Sequence, residues 1–326
     1  MKLSRILLSC ALVLGLCAGQ ASAEPMKLNL VSGPVTGSWY VGMGIVGKII
    51  TSAYPDTEIT MLPGGATVNP IRMSRGQADI GIVQIALGSV ARRGEAPFKA
   101  PVKNVAQMVC WNDLSPINVV VRKDLGVNSI EELRDRKVPV RLAVGMKGGG
   151  GDSYGRWLFG EYGFTFDDIE KWGGQVYFNN YDDMTNLAKD GLVDMIIWLG
   201  PGESWFLAEI TKDIDMKWLA ISDEVAKKMN DKYGMVRASV SGKFYSGRVG
   251  GTDIPSVAEM TGLSVRADMP EEDVYKITKA ICEGRDELVN SFAAWGSFTV
   301  EGAAREMAYP LHPGAARYYR EIGVLK

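Results

Sequence analysis

The sequence predicts an α/β chain of two similar lobes joined by two extended crossings. Three observations predict it: strand-like and helix-like segments alternate from Lys27 onward, glycines fall at the joins between them, and the alternation starts afresh after Val121. With 326 residues, 46% hydrophobic and 23% charged, the chain is long enough for about two cores of roughly 150 residues each. Its 38 glycines exceed the usual share of about 7% and follow no period, so they mark tight turns.

The chain opens on a targeting pattern. Lys2 and Arg5 make a basic start, Ile6 to Ala18 a short apolar stretch, and Ala21-Ser22-Ala23 a small-x-small cleavage site, which together read as a secretory leader over residues 1–23. The apolar stretch is shorter than the roughly 20 residues a membrane-spanning helix needs. Neither Cys10 nor Cys17 sits as a lipid-attachment cysteine would. Without the leader, 34 bases face 38 acids for a net charge of −4, which offers no basic face to nucleic acid. Cys110 and Cys282 then remain, in an oxidising compartment where one disulfide or two buried thiols are both open; each stands where a small hydrophobe would serve, which favours thiols.

The elements follow in order. Lys27 to Ser32 is a strand ending at Gly33-Pro34, and Thr36-Gly37-Ser38 opens a helix running through Ile50. Glu58 to Leu62 is a strand, Pro63-Gly64-Gly65-Ala66 a turn, and Asn69 to Arg75 a helix. Asp79 to Gln84 is rich in isoleucine and valine, as a fully buried parallel strand should be. The second series has strands at Val138 to Gly145, Gln175 to Phe178, Val193 to Leu199 and Trp218 to Ile221. Between the first two, Lys147 to Gly151 is a flexible glycine loop with Asp152-Ser153 as the cap of a helix that stops at Gly163. Residues 118–122 and 262–266 are the two extended crossings, the latter after a long irregular stretch, and from Pro270 the chain is helical to its end. In such a fold ligands sit at the carboxyl ends of the strands, in the cleft between the lobes.

Several residue groups carry chemistry at those strand ends. Thr36, Gly37 and Ser38 present hydroxyls and backbone N–H groups at a helix start, which serves either as an anion site or as plain capping. Trp39 and Tyr40 follow as walls. Gly64, Gly65 and Ala66 let backbone approach a ligand closely, Asn69 offers donor and acceptor, and Gln84 ends a buried strand pointing at the cleft. The only histidine, His312, precedes Pro313-Gly314 and reads as a helix cap. There is no Gly-x-Ser-x-Gly elbow, and Gly148 to Gly151 lacks the lysine and hydroxyl ending of a nucleotide-binding loop.

Taken in order, several motifs carry a family resemblance. They are Thr36-Gly37-Ser38-Trp39-Tyr40, Gly64-Gly65-Ala66 with Asn69, Gly76-Gln77-Ala78-Asp79-Ile80-Gly81-Ile82-Val83-Gln84, Asp190-Gly191-Leu192-Val193-Asp194, and the block from Pro310 to Glu321. The chain resembles the solute-binding proteins of the TRAP-associated extracytoplasmic immunogenic (TAXI) family. The resemblance implies a two-lobed periplasmic-binding-protein fold, type II-like, each lobe a mixed sheet flanked by helices. Lobe one would hold residues 24–121 and 267–326, and lobe two residues 122–266. It further implies a periplasmic monomer, without catalysis, cofactor or metal, that captures a small organic acid or amino acid of glutamate or 2-oxoglutarate type. Membrane permease subunits of a TRAP transporter would be the partners.

In lobe two the resemblance implies ligand contacts at Gly150, Asp152, Ser153, Tyr181, Trp198 and Pro201. Here the chain departs from its relatives, which carry a short glycine and hydroxyl turn in place of the four glycines ending at Asp152. An acid there either caps the helix or faces a ligand ammonium group. Two rival readings are an ABC-linked binding protein, and a periplasmic enzyme of the same fold, which would need His312 in the cleft.

Overall fold

The computed structural model describes residues 25–111, 113–200, 202–245, 251–305 and 308–326. The expected leader and Pro201 lie outside the described residues. The chain begins with β1 (Lys27–Val31), α1 (Ser38–Ala53), β2 (Glu58–Leu62), α2 (Val68–Ser74), β3 (Ile80–Gln84), α3 (Ile85–Arg93) and β4 (Val105–Cys110). A second series holds β5 (Ser115–Arg122), α4 (Ile130–Asp135), β6 (Arg141–Ala143), α5 (Gly150–Glu161), α6 (Phe166–Lys171), β7 (Gln175–Tyr177), α7 (Tyr181–Lys189) and β8 (Met195–Leu199). It continues with α8 (Trp205–Asp213), β9 (Met216–Trp218), α9 (Asp223–Tyr233), β10 (Val236–Val240) and β11 (Ile254–Glu259). The chain then returns through β12 (Thr261–Arg266) to α10 (Glu271–Glu283), α11 (Arg285–Ser291), α12 (Val300–Ala303) and α13 (Pro313–Glu321).

Two mixed sheets result. The first runs β2-β1-β3-β12-β4, with β1 parallel to β2 and β3, and β12 antiparallel to both its neighbours. Every residue of β3 is buried, which is why its apolar run is continuous. The second runs β10-β11-β5-β8-β6-β7, with β6 parallel to β7 and β8, and β9 added against β5. Helices flank both, and this is the two-lobed periplasmic-binding-protein architecture. One apolar core lies under α1, α10 and α13, and another under α7 and α8. A further cluster runs from one sheet to the other, where Leu87 and Val90 of α3 share a core with Val225 and Met229 of α9.

Each lobe fixes its central strand with the same device. Asp79, just before β3, accepts from the Asn29 N–H at 2.7 Å and from Arg266 Nε at 3.0 Å. Asp194, just before β8, accepts from Arg141 Nε at 2.7 Å.

The two expected crossings are strand interiors. Residues 118–122 lie in β5 of the second sheet and residues 262–266 in β12 of the first. A run of β-branched residues reads as extended in either role, and only its pairing partners tell them apart. The chain passes between the sheets instead between β4 and β5, and at Met260 between β11 and β12. The stretch expected to be irregular before β12 contains α9, β10 and β11. The expected terminal helix is broken into α10 to α13. At Gly284, between α10 and α11, a Cβ would lie 2.7 Å from Ile49 Cγ2, so the chain needs glycine to pass α1.

Candidate functional site

A cavity of about 580 Å3 opens between the two sheets. Most of its wall is the loops and helix starts that follow β1, β2, β3, β6, β7 and β8, at the carboxyl ends of strands, with Ser115, Phe244 and Ala294 added to it. That volume lies within the usual range for small-molecule sites.

From the first sheet, Thr36, Gly37, Ser38 and Trp39 line the cavity. Gly37 is the N-cap of the 16-residue α1 and no side chain caps that helix start, so its backbone donors face the cleft end. Tyr40 is half-buried and does not line the cavity. Gly64, Gly65 and Ala66 do. A Cβ on Gly64 would lie 2.2 Å from Asn69 Oδ1 and 2.7 Å from Val31 Cγ2, so only glycine fits.

Asn69 is not a lining residue. It is fully buried, its Nδ2 donates to the carbonyls of Ser32 at 2.7 Å and Ile82 at 2.9 Å, and its Oδ1 accepts from the Gly65 N–H at 2.9 Å. Its capacity is spent holding the glycine turn against β1 and β3. Gln84 lines the cavity at 4% exposure, and its Oε1 has no partner. It faces Gly150 across the cleft, where an added Cβ would sit 3.2 Å from its Nε2.

From the second sheet, the whole run from Gly148 to Gly151 lines the cavity. Close packing, and not looseness, requires those glycines. A Cβ on Gly151 would lie 2.1 Å from the Val144 carbonyl oxygen and 2.9 Å from that of Ile197, and Gly148 has φ +75°. The N-cap of α5 is Gly149, not Asp152. Asp152 lies in the first turn and turns back, accepting from the Gly148 N–H at 2.8 Å and from Arg156 Nε at 2.7 Å. It braces the loop from behind, and neither it nor the buried Ser153 lines the cavity. The start of α5 therefore has no side-chain cap, like that of α1.

Tyr181 and Trp198 line the cavity as part of an aromatic group. Tyr181 stacks on Phe206 with centroids 4.8 Å apart, and Trp198 meets the same ring edge-on at 5.8 Å. Trp198 folds back over Gly200, where a Cβ would lie 2.2 Å from the indole. Sequence reasoning missed Trp205, Phe206 and Phe244 as lining residues, together with Met146 and Glu203. The first two were within reach, since Ser204-Trp205 opens a helix directly after β8 just as Gly149-Gly150 does after β6.

The lobes touch at the cavity mouth. Thr67 Oγ1 donates to the Gly148 carbonyl at 2.9 Å, joining the turn after β2 to the glycine run. They are also tied behind the cavity, where the two crossings run side by side. The Trp111 N–H donates to the Thr261 carbonyl at 3.1 Å, Glu259 pairs with Ser115, and Gly262 with Cys110. Each crossing carries a buried carboxylate. Asp113 accepts from Thr261 Oγ1 at 2.9 Å, and desolvation raises its pKa to about 6. Glu259 accepts from the N–H groups of Ile85 at 2.6 Å and Ala86 at 3.1 Å, capping α3, and from the Tyr154 hydroxyl of α5 at 2.5 Å. Desolvation raises its pKa to about 7, the hydrogen bonds holding it down only in part.

His312 is the N-cap of α13, its Nδ1 accepting from the Gly314 N–H at 3.2 Å with proline at the helix start. It does not line the cavity. Cys110 and Cys282 are buried thiols and form no disulfide. Among the described residues no group of three or more His, Cys, Asp or Glu side chains could hold a metal ion, and no helix is long and apolar enough to cross a membrane.

Comparison with known proteins adds a family and a fold. Residues 30–323 match the family model described as the NMT1-like family. Among solved structures, the periplasmic binding protein BugD is similar with a TM-score of 0.55 at 15% identity, covering 92% of this chain and 98% of that one. MatC from Rhodopseudomonas palustris, solved with bound malate, gives a TM-score of 0.55 at 14% identity over 91% of this chain and 97% of that one. At such identities these likenesses speak to the fold alone.

Proposed function

The chain belongs to the NMT1-like family, and from that premise we propose that it is the periplasmic solute-binding protein of a TRAP transporter of the TAXI type. It captures a small organic acid or amino acid in the cleft and hands it to membrane permease subunits, with no chemistry of its own. The observation that carries this reading is the cavity of about 580 Å3 entered by the starts of α1 and α5, neither capped by a side chain. Backbone donors at such helix starts suit a carboxylate. Malate in the similar MatC structure supports the same ligand class.

The lobes of this reading are the two sheets with their helices. Ligand settles on one glycine-lined wall, and contacts made only with both walls present favour the closed state. The enzyme reading loses its acid–base candidate, because His312 caps a helix outside the cavity lining. The test is calorimetry on protein that has been unfolded, dialysed and refolded to remove carried-over ligand. At least one organic acid or amino acid should bind with a Kd of about 10 μM or tighter. No binding across a broad panel of both classes overturns the reading.

A further inference from the structure

We infer that the ligand is a monocarboxylate with a flat, aromatic body, seated with its carboxylate at the helix starts and its ring on the aromatic wall of the second lobe. This deepens the proposed function and rests on it. The cavity walls differ in kind. One side is backbone: the helix starts of α1 and α5 and the glycine turns at 64–65 and 148–151. The carboxamide of Gln84, 4% exposed and with its Oε1 unpartnered, stands between them and calls for a hydrogen-bond donor on the ligand, as an indole N–H would be.

The other side is aromatic. Tyr181, Trp198 and Trp205 gather around Phe206, with Trp205 6.0 Å from it and the planes at 77°. Trp205 is 51% exposed while lining the cavity, so a large apolar surface meets water until something covers it. Trp39 of the first lobe lines the same space, so closure brings aromatic surface from both lobes to one ligand body. A dicarboxylate would need a second set of donors on this side. The charged side chains among the lining residues are Lys147, whose Nζ lies 5.7 Å over the Phe178 ring, and Glu203, which repels a carboxylate.

The test is calorimetry on the refolded, ligand-free protein and its Trp205→Ala variant, with phenylpyruvate and indole-3-acetate as aryl probes and malate, glutamate and 2-oxoglutarate as aliphatic ones. An aryl probe should bind at least about tenfold more tightly than any aliphatic probe, and Trp205→Ala should weaken it about tenfold. Trp205 is half exposed, so the variant should fold, and its melting curve checks this. Aliphatic dicarboxylates binding as tightly as the aryl probes, or a Trp205→Ala variant that binds both classes unchanged or weakens both equally, overturns the inference and leaves the proposed function standing. Failure of all five probes and of the broader acid and amino-acid panel overturns both.

Discussion

Glu259 is 2% exposed and bonded on every side, yet it sits where the chain crosses between lobes. Its folded pKa of about 7 lies above the ordinary 4.5, so the folded state holds a proton that the unfolded chain has already released. That contribution is fully present below about pH 4.5, is lost as pH rises toward 7, and is constant above it. A Glu259→Gln variant removes the titration, so its melting temperature should fall less than that of the wild type between pH 4.5 and 7.5. Equal slopes in differential scanning calorimetry contradict this account. His312 gives a second prediction at the same scale. His312→Ala deletes the acceptor of the Gly314 N–H in a buried position and should cost about 1–3 kcal/mol in urea unfolding, of which His312→Asn recovers about 1 kcal/mol.

The glycine turns are where elements meet closely enough to make a site. Gly64→Ala should cost roughly 1–3 kcal/mol in urea unfolding, because its Cβ meets Asn69 and Val31. Gly65→Ala, with nothing within 4 Å, should stay within about 0.5 kcal/mol. Much of this level was legible in the chain. β2 has its expected ends, and the turn after it was placed because Pro-Gly-Gly has few other uses. Asn69 and Asp152 were legible as polar residues beside the cleft but not as braces, since a side chain's direction depends on backbone it meets after folding. Asp79 and Asp194 carry the same lesson. They belong to motifs that carry the resemblance drawn from the sequence, and each spends its carboxylate on an arginine from a distant strand, Arg266 or Arg141. Trp205 shows its role only through its place at the helix start that follows β8, since a tryptophan by itself reads equally as core.

At the scale of the molecule, the lobes make contact at the mouth, at the crossings and through the packing of α3 against α9. Thr67→Val removes the side-chain hydrogen bond to the Gly148 carbonyl across the mouth and leaves the longer one from the Thr67 N–H. Ligand dissociation followed by stopped-flow tryptophan fluorescence should then speed up by about threefold to tenfold, and an unchanged rate would show that the bond does not hold the closed form. Residues 118–122 and 262–266 read as crossings in the sequence but lie inside β5 and β12. Locating the crossings themselves needed the pairing of Gly262 with Cys110 and of Glu259 with Ser115, contacts between residues about 150 positions apart.

Bonded pairs flank the crossings on both sides, Cys110 with Gly262 and Ser115 with Glu259. A ribbon of two bonded strands bends readily across its face but resists shear and stretching, because sliding one strand past the other would break its ladder. If the lobes close on a ligand as proposed, these ties leave rotation about the crossings as the easiest relative motion. Whatever ligand occupies the cleft, its presence is then written as one angle, and any surface that touches both lobes can measure occupancy without ever meeting the ligand.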